Sequence, residues 1–527
     1  MIKKPAKLAK IATLASLTFL VGIGLILVTF EIKPFWVDEW RIIYNLKTKD
    51  AAALWGPLEL MQQFPRVYLQ IVKAFTQYFD FSYSSLRLPA YLLGVATLIF
   101  AYRLMQRFYT DSSAVKFLFL LILASSHTFV EYFVQTKQYT MDIFMSMLAL
   151  WQLSQLLQLK KQDGVSAPAY LLLCATFVVA PFFSYTYPIL TAPLFGIAML
   201  QSIFYKPQAA GNTPKTTFIA KIWLPLILCL ASLIAFYLLD VARLLQDVGM
   251  KIFWHSMTME HGFHPVHLIK SFYLIFSNVG SGLLFEIIFG ITGIAAFLFC
   301  IRDYFKNHRS YLHQEGAQLR LYGIVLIGII IFLFVIGKLP IGEPRLLCYS
   351  VPAIAVLIIY LLENLLENKK VAKLAGGLTL VLFLGTIGNI INNQLKNLFS
   401  KEHYRVLATY CNMSKGIALA QQRKLPIFVT SAVAYPDEKV INFPITKIRA
   451  DVLCFTPGYF SSIHFNTLQE IPADWVLKTM PAYKMSISLP VYAIDSIGKA
   501  EEYIRQLPPA ITSVIAISES TFVEVKR

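Results

Sequence analysis

The sequence predicts a mainly α-helical, polytopic membrane protein with a small α/β domain at its C-terminal end. Three observations predict it. Hydrophobic residues fill 57% of the 527 positions and charged residues only 15%, at a mean hydropathy of +0.59; a soluble globular chain runs at roughly 45–50% apolar and about 25% charged. The apolar residues fall in runs long enough to cross a bilayer, and the basic residues are sorted by segment instead of being spread evenly. Together these exclude an ordinary soluble enzyme and a disordered chain, both of which need more polar surface.

A hydrocarbon core about 30 Å thick takes about 20 mostly apolar residues per helix. Eleven such spans can be read: 9–30, 87–106, 115–134, 141–159, 168–183, 186–204, 218–239, 280–300, 320–337, 347–364 and 372–391. The first has a longer apolar stretch than a signal peptide, and no small-x-small cleavage site follows it, so it is kept as a helix. The fifth and sixth are joined only by Ser184-Tyr185-Thr186-Tyr187-Pro188.

The net charge of +17 would suggest nucleic acid in a soluble protein. Here it is a topology signal. With the N-terminus inside, the inner segments hold nineteen basic residues against six acidic ones. The outer segments and spans up to 391 balance at thirteen each. That is the positive-inside pattern, which predicts a cytoplasmic N-terminus. Six cysteines are too few for a disulfide scaffold. Cys174, Cys229, Cys300 and Cys348 lie in apolar runs and read as core filling, while Cys411 and Cys454 can pair if the tail is exported.

This frame divides the chain into a transmembrane domain, 1–391, and an extracytoplasmic α/β domain, 392–527. Two outer loops, 31–86 and 240–279, are longer than a connector needs. The first carries amphipathic stretches around 50–63 and 65–80, which suit the membrane interface. The tail reads as a helix at 402–424, strands at 427–430, 452–455, 486–494, 513–517 and 522–525, and a helix at 498–506.

The chemistry gathers on the outer side. Asp38-Glu39 stands just beyond the first span between Trp36 and Trp40, where a carboxylate can act as general base or bind a metal ion. Lys137, Tyr139 and Asp142 lie at the mouth of the fourth span. Tyr139 and Asp142, three apart, share a helix face, and with Lys137 they supply a hydroxyl, a carboxylate and a cation for a sugar and its phosphate. The same residues also fit a set of interfacial anchors. Arg345 opens the tenth span with a guanidinium suited to phosphate oxygens. Glu286, two turns into the eighth span, is a costly acid and thereby a candidate. His255, His261 and His264, beside Glu260, are weak candidates for a divalent metal ion, because their spacing matches no closed site and Pro265 interrupts it.

Several of these elements occur together in a known order. They are Asp38-Glu39 in the first outer loop, Pro65-Arg66-Val67-Tyr68, Arg87-Leu88-Pro89 opening the second span, and Lys137-Gln138-Tyr139 before the fourth. In this the chain resembles the C-type glycosyltransferase superfamily, in the bacterial branch of protein mannosyltransferases and lipid A aminoarabinose transferases. The match lies in the first 150 residues. Members commonly read His-Pro-Pro-Leu-Tyr-Tyr where this chain reads Gln63-Phe64-Pro65-Arg66-Val67-Tyr68, and they carry Arg where it has Lys137.

The resemblance implies a transferase that moves a sugar from a polyprenyl-phosphate donor to a lipid, glycan or protein acceptor, with inversion. Asp38 and Glu39 would be the catalytic pair, with Asp38 as general base. Tyr68, Lys137, Tyr139, Asp142, Glu286 and Arg345 would bind substrate, and no nucleic acid is involved. The alternatives are a transporter or lipid flippase, which the many spans and Glu286 allow but which internal repeats would favour, and a scaffold presenting the tail.

Overall fold

The computed structural model describes residues 3–30, 37–58, 62–108, 113–160, 164–205, 213–242, 265–280, 283–339, 344–399, 415–430, 469–471, 489–494, 497–517 and 522–527. Its helices up to residue 242 are α1 (Lys3–Thr29), α2 (Val37–Thr48), α3 (Arg66–Tyr78), α4 (Tyr83–Phe108), α5 (Ser113–Ser125), α6 (His127–Tyr132), α7 (Tyr139–Gln158), α8 (Ala167–Val179), α9 (Tyr187–Phe204) and α10 (Lys215–Phe236). Then come α11 (Pro265–Ser277), α12 (Leu283–His313), α13 (Glu315–Val335), α14 (Val351–Glu367) and α15 (Ala372–Phe399).

Among the described residues eight segments are long and apolar enough to cross a membrane: Leu8–Thr29, Tyr83–Phe108, Tyr187–Phe204, Lys215–Val241, Leu283–His308, Glu315–Val335, Arg345–Glu367 and Ala372–Phe399. This is an integral membrane protein. The other three expected spans take different forms, each for a local reason. The run at 115–134 breaks at Ser126, whose Oγ accepts from the Phe129 amide at 3.3 Å and caps α6. The Ser125 carbonyl at the break accepts from Asn389 Nδ2 of α15 at 2.9 Å, which is how a membrane-embedded break is tolerated.

The run at 141–159 does form a helix, α7, but one that buries Asp142, Ser146, Gln152, Ser154 and Gln155. Gln152 Oε1 accepts from Tyr187 Oη at 2.8 Å, and its Nε2 donates to Thr176 Oγ1 at 3.1 Å. A helix walled by protein needs no apolar surface. At 168–183, α8 gives way to a 3-10 turn, Ala180–Phe183, at Pro181, which has no amide to continue the ladder.

The chain divides into two compact units. One comprises Met1–Leu25, Phe64–Leu69 and Pro89–Gln394; the other comprises Ile26–Gln63, Gln70–Leu88 and Leu395–Arg527. In the first, small residues let helices approach closely. A Cβ on Gly24 or Gly94 would lie 2.3 or 2.1 Å from the Phe133 ring, so that ring fills the notch the two glycines leave. Away from it, Asp303 on α12 accepts from Tyr360 Oη at 2.7 Å and Tyr311 Oη at 2.9 Å. The Arg320 guanidinium stacks 3.6 Å from the Tyr360 ring centre, and this ties α12, α13 and α14 together.

In the second unit α2 buries Glu39, Ile42, Ile43 and Leu46, the spacing of an amphipathic helix. Its C-terminal carbonyls are satisfied by Lys73 Nζ, 2.5 Å from Leu46 O and 3.0 Å from Lys49 O. Five short strands follow: β1 (Ile427–Thr430), β2 (Gln469–Ile471), β3 (Val491–Ile494), β4 (Ser513–Ile517) and β5 (Phe522–Lys526). They form one sheet in the order β2-β3-β1-β4-β5, with parallel pairs at the centre and antiparallel pairs at both edges. The helix Ala500–Ile504 between β3 and β4 buries Tyr503 and Ile504 with Phe428, Ile494 and Val514. The expected strand at 452–455 lies outside the described residues, as do Cys411 and Cys454. β2, at three residues, is too short to leave a sequence pattern.

Candidate functional site

In the first unit the polar residues converge at the N-terminal end of α7. The turn between α6 and α7 is pinned by Thr140 Oγ1 donating to Tyr132 O at 2.9 Å and by the Lys137 amide donating to Gln135 O at 2.8 Å. The Tyr132 and Tyr139 rings pack 4.4 Å apart. Lys137 is held here as a buried cation, 3% exposed. Cys348 Sγ donates to the Tyr139 carbonyl at 3.6 Å, joining α7 to the 3-10 turn Pro344–Ser350, which carries Arg345 and Tyr349.

Asp142, in the first turn of α7, is buried and receives the Ser184 hydroxyl at 2.5 Å and the Thr186 hydroxyl at 3.3 Å. Burial disfavours its ionised form, which acts electrostatically on Tyr68. Burial, and then the Asp142 charge, raise the Tyr68 phenol above its ordinary range, so Tyr68 is a donor to whatever lies against it. Lys137, Tyr139 and Asp142 thus lie together at one helix end, with Tyr68 within electrostatic reach of Asp142 and Arg345 on the adjoining turn.

Between Ser184 and Thr186, Tyr185 serves a second carboxylate. Its hydroxyl donates to Asp240 at 3.0 Å to Oδ1 and 3.1 Å to Oδ2. Asp240 also faces Arg66 Nε at 3.4 Å, with both side chains 5% exposed. A π-helical turn, Tyr237–Val241, extends α10 and carries Asp240; such bulges recur at functional sites. Burial and the Asp240 charge hold the Tyr185 phenol well above its usual value. Sequence reasoning noted the 184–188 joint only as a short connector and did not single out Asp240 or Tyr349. The run Ser184-Tyr185-Thr186-Tyr187, four hydroxyls between apolar spans, was the available signal.

Glu286 has a different place from the one expected. Helix α12 starts at Leu283, so the acid stands in its first turn, where the helix dipole favours it, and not two turns deep. It is half-buried, and its charge together with burial raises the Tyr273 phenol of α11.

In the second unit Glu39 is fully buried. Its Oε2 lies 2.8 Å from Arg87 Nη2 and its Oε1 accepts from Arg87 Nε at 3.1 Å. Arg87 also donates to Tyr83 Oη and stacks 4.4 Å from that ring. Asp38 lies in the first turn of α2; its side chain lies outside the described atoms. His255, His261 and His264 lie outside the described residues, and among the described residues no three metal-ligating side chains cluster.

No family model matches the sequence, and no curated protein matches it. Solved structures do. ArnT from Cupriavidus metallidurans bound to undecaprenyl phosphate is similar at 11% identity and a TM-score of 0.50, over 95% of this chain and 92% of that one. The same protein in the apo state gives 11% identity and 0.45 over 78% and 82%. The oligosaccharyltransferase of Archaeoglobus fulgidus in the apo form gives 12% identity and 0.44 over 86% and 62%. The first likeness spans nearly the whole of both chains, and it is a likeness of fold. The mainly helical, polytopic fold expected from the sequence is the fold observed, and it is the fold of that ArnT structure.

Proposed function

We propose that this protein is a membrane glycosyltransferase that moves a sugar from a polyprenyl-phosphate donor to a lipid, glycan or protein acceptor on the extracytoplasmic side. The observation that carries the reading is the buried polar cluster of Lys137, Tyr139 and Asp142, with Tyr68 within reach of the Asp142 charge. It lies in a helical unit built mainly of apolar spans. Ionisable groups buried in such a unit are rare and are functional candidates by default. The fold likeness to a protein captured with undecaprenyl phosphate supports the donor class.

In this reading Asp38 takes the proton from the acceptor nucleophile as the new glycosidic bond forms. Glu39, with both oxygens engaged by Arg87, holds the start of α2 and so the backbone that carries Asp38. Lys137 and Arg345 neutralise the lipid phosphate that departs with the bonding electrons, stabilising charge that develops in the transition state. Tyr68, Tyr139 and Asp142 hold the sugar hydroxyls. Glu286 lines the substrate approach. One in-line displacement at the anomeric carbon gives inversion. The sorting of basic residues supports a cytoplasmic N-terminus and an outward-facing site and tail.

The test is sugar transfer from a polyprenyl-phosphate donor in proteoliposomes, comparing the native protein with Asp38→Asn. Transfer by the native protein and its loss in the variant support the reading; undiminished transfer in the variant removes Asp38 from its role. Mass spectrometry of envelope glycolipids and glycoproteins, with and without the gene, then identifies the acceptor.

A further inference from the structure

Resting on the lipid-phosphate reading above, we infer that Arg66 is a phosphate-binding fork, a residue that receives the phosphate oxygens of the polyprenyl lipid. A guanidinium carries five N–H donors in one plane. Arg66 is 5% exposed, yet among the described residues its one charged contact is Asp240 Oδ1, 3.4 Å from Nε, and neither Nε nor Nη1 donates a hydrogen bond there. Buried charged donors without acceptors are rare in folded proteins and mark a missing partner.

That partner must be acceptor-rich. Asp240 holds one edge of the guanidinium and is itself fixed, since both its oxygens accept from Tyr185 Oη. The same hydroxyl lies 3.3 Å from the carbonyl of Phe64, two residues before Arg66. The fork is therefore held in a preset orientation with donor capacity to spare. A sugar hydroxyl presents one oxygen and brings its own donor. A phosphate presents several oxygens and no donor when ionised, and matches the fork in its plane. Lys137, a point charge, neutralises without orienting; Arg66 supplies the directional contact. It is the first residue of α3, where the helix end also favours an anion.

The experiment measures binding to purified full-length protein in nanodiscs, by native mass spectrometry. The probes are undecaprenyl phosphate, undecaprenol, phosphatidylglycerol and inorganic phosphate. The native protein should prefer undecaprenyl phosphate over undecaprenol by at least about tenfold. Arg66→Lys, which keeps the charge and loses the fork, should reduce that preference severalfold and leave undecaprenol retention unchanged. Because Arg66→Gln strands Asp240 and can misfold, the paired change Arg66→Gln with Asp240→Asn is the second variant, and it should reduce the preference at least as far as Arg66→Lys does. If the native protein shows no preference, the lipid-phosphate reading itself fails. If the native preference is present and both variants keep it, only the assignment of Arg66 fails. Equal competition by inorganic phosphate or phosphatidylglycerol assigns the fork to another phosphate source and overturns the inference.

Discussion

Glu39 and Arg87 form a bidentate ion pair with no solvent exposure on either side chain, and it joins the start of α2 to the start of α4. Removing one partner of such a pair leaves a buried charge and costs about 3–5 kcal/mol, whereas replacing both by apolar residues is close to neutral. Glu39→Gln and Arg87→Met should each lower the thermal midpoint in detergent by many degrees, and the double change Glu39→Met with Arg87→Met should recover most of it. If sugar transfer stays low in the recovered double variant, the pair orients the Asp38 backbone as well as stabilising it. Full transfer there limits it to stability.

The Phe133 ring occupies the space left by Gly24 and Gly94. Gly94→Ala forces a Cβ into that ring, and overpacking of this kind costs about 1–3 kcal/mol. Phe133→Ala, a cavity, should also destabilise. Because the two changes relieve one another, the double variant should be more stable than the sum of the singles predicts. Additive losses in a thermal-shift cycle would show that the ring does not fill this notch.

Legibility in the sequence followed the length of the physical signal. Runs of about twenty apolar residues revealed eight spans because nothing but a membrane asks for them. The break at Ser125–Ser126 was hidden because its compensation, Asn389, lies 264 positions away. Helix α7 showed the reverse: its pattern gave a helix, but only packing reveals that Gln152 and Asp142 face protein. At the site, Lys137, Tyr139 and Asp142 were readable because they crowd one helix end. Arg66, Asp240 and Tyr185 were not, since three distant segments bring them together. The depth of Glu286 was misjudged by taking the apolar run at 280–300 as the helix, whose start at Leu283 lies after Gly280.

Lys160, just beyond α7, carries a pH signature. Burial lowers its ammonium from the ordinary 10.5 to about 8, partly offset by Glu315. Between about 8 and 10.5 the unfolded state binds more protons than the folded one, so stability rises with pH across that window. Below 8 both states are protonated and the penalty is complete. Lys160→Met should therefore gain most in thermal midpoint over the native protein near pH 7, with the gain shrinking as pH rises toward 10. A difference independent of pH would mean that the Lys160 ammonium is not disfavoured by folding.

Asp142 is the residue on which sugar binding should turn. It is buried, accepts from Ser184 and Thr186, and acts electrostatically on Tyr68. Hydrogen bonds to a charged group are worth about 1.5–3 kcal/mol, so an Asp142→Asn change that removes the charge but keeps the shape should lower kcat/KM for sugar transfer by roughly tenfold to a hundredfold. Ser184→Ala removes one donor and leaves the charge, and should cost less. If the losses fall in KM, Asp142 binds the sugar in the ground state; if they fall in kcat, its contact forms with the transition state. Transfer unchanged in Asp142→Asn, with the thermal midpoint preserved, would make the cluster a structural joint between α7 and the 184–186 segment and move the sugar elsewhere.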